Sequence, residues 1–145
     1  MYKKILIPTD GSPLSAAAIG QGVALAKSTG ATVMGMTVSA PFHTFALDPM
    51  MVSDTKETYK QDCEERAAKY LGAIKTAASA AGVRCEVAHV VAEHPYEGII
   101  DTAKTAGCDL IVMASHGRKG ASALVLGSET VKVLTHSKIP VLVCR

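Results

Sequence analysis

Asp109–Leu134 reads DLIVMASHGRKGASALVLGSETVKVL, and the order of residue types in it decides the fold. Asp109–Ala114 (DLIVMA) is an apolar run of strand length. Ser115, His116 and Gly117 then open a loop of small residues and glycines. Gly127 and Ser128 close that loop, and a helix pattern runs from Ser128 to His136. Strand, loop and helix in that order form the repeating unit of a parallel α/β protein.

The same unit recurs toward the N-terminus. Lys4–Ile7 (KILI) is a short apolar strand stopped by Pro8 and expected to be buried on both faces. Thr9-Asp10-Gly11-Ser12-Pro13 follows, with Ser12 as N-cap and Pro13 as first helical residue. That helix runs to about Thr29 and Gly30 ends it. Ala31–Val38 (ATVMGMTV) is the second strand, and Ser39–Met51 reads as irregular. A long helix spans Ser53 to about Ala81, with Glu64, Glu65 and Arg66 on its solvated face. Arg84–Val91 (RCEVAHVV) is the third strand, and Pro95 opens a helix to about Ala106. Asp109–Ala114 is the fourth strand and Pro140–Cys144 (PVLVC) the fifth. The reading is one domain over residues 1–145, an α/β fold with an open, mostly parallel sheet and helices on both faces.

Composition narrows the function. Hydrophobic residues make up 48% and Trp is absent, so small aliphatic side chains must fill the core by close helix-on-sheet packing. Fifteen basic against 13 acidic residues give a net charge of +2, without the clustered basic excess of a nucleic-acid binder. No apolar stretch approaches the roughly 20 residues of a membrane span, and the apolar run after Met1-Tyr2-Lys3-Lys4 is too short for a secretory signal. Cys63, Cys85, Cys108 and Cys144 form no C-x-x-C pair. The last three adjoin apolar runs and are expected to be buried, reduced thiols of a cytoplasmic protein. His43, His89, His94 and His136 lie on separate elements and lack the spacing of metal ligands.

In open parallel sheets, ligands sit beyond the carboxyl ends of strands where the strand order reverses. Two such ends carry unusual chemistry here. After the first strand, Asp10 either forms the turn before Ser12 or accepts a hydrogen bond from a bound base or sugar. After the fourth, Gly117 and Gly120 let the loop curl, while Arg118 and Lys119 place cations beside it. Gly127 and Ser128 begin a helix whose free amides attract anions. The loop is therefore either a phosphate cradle or the plain turn a strand needs to reach its helix. It contains no Gly-x-x-x-x-Gly-Lys-Ser/Thr phosphate loop.

With these motifs in place, the whole chain resembles the universal stress protein family. The resemblance rests on Lys4–Ser12 (KILIPTDGS), on Asp109–Arg118 (DLIVMASHGR), and on Gly127-Ser128 followed by Ile139–Val143 (IPVLV). The nucleotide-binding branch carries Gly, two residues, Gly, nine residues, then Gly and Ser or Thr. Gly117, Gly127 and Ser128 match, and Ala114 stands where the first Gly belongs. If that Gly is needed for space, the Ala114 methyl crowds the ligand; if for a positive φ, it blocks the site.

The resemblance implies a Rossmann-like sheet of order 3-2-1-4-5, with ATP or AMP between strands one and four. It places Pro8, Thr9, Asp10 and Val38 around adenine and ribose. Met113, Ala114, Ser115, His116 and Gly117 follow the sugar and first phosphate, with Arg118 beside them. Gly127, Ser128 and Glu129 meet the outer phosphates, and Mg2+ arrives with those phosphates. It also implies a homodimer through Val141–Val143 in the last strand.

Three functions follow. The first is an ATP- or AMP-binding regulatory homodimer of the stress response. The second is a slow ATPase or autophosphorylating protein, with His116 and Ser128 as participants. The third is a nucleotide-free dimer acting through protein partners, with Phe42–Met51 as a partner surface, a lid, or a loop that merely covers the sheet end.

Overall fold

The structure is a computed structural model that describes residues 1–45, 56–117 and 125–145. Five strands, β1 (Lys4–Pro8), β2 (Thr32–Ser39), β3 (Cys85–Val91), β4 (Leu110–Ala114) and β5 (Val141–Cys144), form one parallel sheet in the order β3-β2-β1-β4-β5. Helices α1 (Pro13–Thr29), α3 (Lys56–Ala81), α4 (Pro95–Thr105) and α5 (Ser128–His136) connect them. The expected fold class and strand order are both present.

Burial follows the pleat. Successive side chains of a strand point to opposite faces. Ile5 and Ile7 of β1 enter a core with Val23 of α1 and Leu71 and Ile74 of α3, while Leu6 faces Ile99 of α4 and Val133 of α5. All three β1 residues are fully buried, as a central strand requires. Each such side chain contributes roughly 1.5–3 kcal/mol by leaving water. Small residues let the layers approach. A Cβ on Gly35 of β2 would stand 2.8 Å from Cδ1 of Ile74, so α3 packs directly on the β2 backbone. Along α3 the buried stripe is Tyr59, Cys63, Ala67, Leu71, Ile74 and Ala78, with Glu64, Glu65 and Arg66 exposed as expected.

Several boundaries differ from the sequence reading. Pro8 does not stop β1 but is its last residue, opposite Met36. A proline lacks only the N–H, and the ladder resumes where Thr9 N–H donates to Met36 O at 2.9 Å. Ser39–Met51 is not irregular throughout, because Phe42–Phe45 forms one helical turn, α2. Phe42 packs on Tyr59 with ring centroids 5.6 Å apart, and the Tyr59 hydroxyl donates to Ala40 O. The rest of that segment, and the expected helix start at Ser53, lie outside the described residues. Cys85 is only half-buried, because β3 is an edge strand, whereas Cys63, Cys108 and Cys144 are buried. All four thiols are free.

The chain winds outward from β1 to β3, then returns through α4 to place β4 on the other side of β1. The segments after β1 and β4 therefore leave neighbouring strands in opposite directions, and a crevice opens between them.

Candidate functional site

On the β1 side of the crevice, hydroxyls and a carboxylate lock the turn. The Thr9 and Ser15 hydroxyl oxygens lie 3.0 Å apart, and Gly11 N–H donates to Thr9 Oγ1 at 3.2 Å. Ser12 caps α1 by accepting from Ser15 N–H at 3.2 Å, which is the expected N-cap. Asp10 Oδ1 accepts from Ser12 N–H at 3.0 Å, so one carboxylate oxygen forms the turn. The other oxygen faces the second loop: a Cβ on Gly117 would stand 2.6 Å from Asp10 Oδ2. Gly11 adopts φ +79°, and its missing side chain makes room for the Tyr70 ring.

On the β4 side, the start of α5 is fastened to the strand end. Ser115 N–H donates to Cys144 O at 2.7 Å, and Gly127 N–H donates to Ser115 O at 2.7 Å. The Thr130 hydroxyl reaches Ala114 O at 3.0 Å and Ser115 O at 3.2 Å. Gly127 is the N-cap of α5, so the helix supplies no carbonyl for the N–H groups of Ser128, Glu129 and Thr130. Those amides carry the positive end of the helix dipole.

His116 completes this side. Its Nδ1 lies 2.9 Å from Ser115 Oγ. Its Nε2 is buried and has no hydrogen-bond partner among the described residues. A buried polar atom without a partner costs on the order of 1–3 kcal/mol.

The crevice encloses about 530 Å3, within the range of small-molecule sites. Pro8, Thr9, Asp10, Val38, Met113, Ala114, His116, Gly117, Gly127, Ser128 and Glu129, all candidates from the sequence, line it. Ser115 does not. Its side chain is 2% exposed and turned to His116, so it supports the wall from behind. Arg118, Lys119 and Gly120 lie outside the described residues. Ser15, Met36, Thr37, Pro95, Ile99 and Thr130 also line the cavity and were missed. Met36 and Thr37 were within reach of the sequence, since they precede Val38 at the carboxyl end of β2. Pro95 and Ile99 gave no signal, because only the packing of α4 brings them there.

Ala114 is the last residue of β4, beside Cys144, and no described non-glycine residue has a positive φ. The backbone at this position therefore does not require glycine. The methyl group costs space alone. Glu129 is held by neighbours: Oε2 accepts from Tyr96 N–H at 2.9 Å, and Oε1 lies 3.3 Å from Lys132 Nζ.

A parallel sheet of order 3-2-1-4-5 with a crevice between its two central loops defines a Rossmann-like protein. The universal stress protein family model matches residues 1–145, and the chain belongs to that family. It is 31% identical over 149 residues to universal stress protein YxiE of Bacillus subtilis, covering all of both chains. The solved structure of MJ0577, a Methanocaldococcus jannaschii protein, superposes with a TM-score of 0.83 at 30% identity, over 99% of this chain and 96% of that one. A universal stress protein solved in complex with cAMP has a TM-score of 0.69 at 23% identity, over 99% of this chain and 97% of that one. Among the described residues no helix is long and apolar enough to cross a membrane, and no group of His, Cys, Asp or Glu is arranged to hold a metal ion.

Proposed function

We propose that this protein is an adenine-nucleotide-binding regulatory homodimer of the stress response, with ATP or AMP in the crevice between β1 and β4. The observation that carries this reading is the His116 Nε2, buried without a partner among the described residues, beside the open amides of α5. Together they offer a hydrogen-bonding group and a positive helix end to one anionic ligand. Gly127 supports it, because a Cβ there would press on Ser115 O at 3.2 Å and on His116 Cα at 3.3 Å. The apolar part of the wall, including Met36, Val38 and Ile99, suits a flat base. The same fold holds cAMP in one relative.

The homodimer forms through β5. Among the described residues that strand pairs only with β4, and it exposes Leu142 at the sheet edge. The protein is read as cytoplasmic, with its free thiols kept reduced.

The test begins with chromatography of nucleotide released from the denatured, purified protein, followed by calorimetry with added AMP and ATP. About one nucleotide bound per chain is the expected stoichiometry. No released nucleotide and no heat of binding overturn the reading. The Ala114 methyl then closes the site, and the chain is a dimer that acts through protein partners.

A further inference from the structure

We propose that Glu129 is a charge filter on this cavity, which makes it favour ligands with one phosphate over ligands with a chain of them. The inference rests on the adenine-nucleotide reading and specifies its ligand class. Two helices begin at the cavity: Pro95 at the start of α4 and Ser128–Thr130 at the start of α5 both line it. Each start carries partial positive charge and attracts an anion. One anion is already built in. The α4 N-cap, His94, makes no side-chain capping hydrogen bond, and Pro95 has no N–H to offer. The next amide, Tyr96 N–H, donates to Glu129 Oε2 at 2.9 Å, while Glu129 Oε1 turns to Lys132 Nζ at 3.3 Å. A carboxylate is thereby fixed between the two helix starts.

Lys132 Nζ offsets that charge in part, and the rest of the described wall adds no cation. It holds a second carboxylate, Asp10, and no lysine or arginine. Among the described residues, the donors beside the cavity include the first amides of α5 and the buried His116 Nε2. Those suffice for one phosphate. Each further phosphate brings negative charge into a crevice that holds a fixed carboxylate on the same helix turn. Like charges repel there more strongly than in open water.

Replacing Glu129 by Gln keeps an oxygen acceptor for Tyr96 N–H and removes the charge. The experiment measures AMP and ATP dissociation constants by calorimetry in chelator-treated, metal-free buffer, for the native chain and Glu129→Gln. The ratio of ATP affinity to AMP affinity is expected to rise about tenfold in the variant. Glu129→Ala, read the same way, gives the ratio if Glu129→Gln does not fold. A ratio that stays the same or falls overturns the filter while leaving nucleotide binding intact. If neither nucleotide binds either protein, the adenine-nucleotide reading falls and the filter falls with it.

Discussion

Gly127 has an ordinary φ of −61°, so its value lies in the missing side chain. The atoms a Cβ would meet, Ser115 O at 3.2 Å and His116 Cα at 3.3 Å, belong to backbone that cannot rotate away. Gly127→Ala is expected to destabilise the chain by about 1–3 kcal/mol and to weaken AMP binding. Gly20 is the contrast: it sits in α1 with nothing within 4 Å of its would-be Cβ. Gly20→Ala should stabilise by roughly 0.5–1 kcal/mol. Urea midpoints of the two variants, with AMP calorimetry on the first, check the pair. Asp10 shows what sequence can and cannot resolve at this scale. Its two readings, turn-former and ligand acceptor, describe different oxygens: Oδ1 holds Ser12 N–H, and Oδ2 faces Gly117 more than 100 residues away in the chain. No local pattern contains that second fact.

At the scale of elements, two polar contacts connect segments that sequence leaves separate. The Thr130 hydroxyl fastens the first turn of α5 to the carbonyls of Ala114 and Ser115. Thr130→Val keeps the shape and leaves those carbonyls short of a donor. The expected cost is about 1–2 kcal/mol, with weaker AMP binding as the helix start loosens, and Thr130→Ser should restore both. Thermal melts with and without AMP measure this. Asp109, just before β4, accepts from Lys3 N–H at 2.9 Å and from Lys4 N–H at 3.1 Å. Burial pushes its carboxyl up, and the backbone N–H bonds from Lys3, Lys4 and Asp109 itself outweigh that and hold it below the ordinary value. A lowered native pKa means the unfolded chain binds the proton more readily. The stabilisation is therefore complete at neutral pH. It is lost as pH falls from about 4, the ordinary Asp value, through the lowered native one. Asp109→Asn should flatten this acid limb in urea titrations run as a function of pH.

For the whole molecule, the sheet has two different edges. β3 is half-covered on its flank, while β5 is the opposite outer strand and leaves Leu142 42% exposed. Val131 and Leu134 on the neighbouring α5 are 45% and 42% exposed, so apolar surface is concentrated beside that edge. On the proposed dimer, Leu142→Lys puts a charge in the paired strand and should yield monomer by light scattering, with the monomer still folded by circular dichroism. A native chain that is already monomeric removes the dimer. The thiols report on the interior: burial pushes Cys108 up to about 11, which keeps it neutral at physiological pH inside the α4 side of the core.

The sequence by itself determined the class of fold, the strand and helix order and the capping of α1. Each of these is written in short-range signals: apolar runs, Ser12-Pro13, Gly30, and the spacing of Gly117, Gly127 and Ser128. Only the tertiary structure decided what depends on elements meeting. It brought Pro95 and Ile99 into the wall, buried His116 Nε2 without a partner among the described residues, and turned Ser115 away from the cavity. It also showed that Ala114 lies in extended strand, and it set Glu129 on the start of α4. The physical reason is range. Propensity and periodicity act within a few residues, whereas the packing of α4 and α5 across the sheet couples positions far apart in the chain.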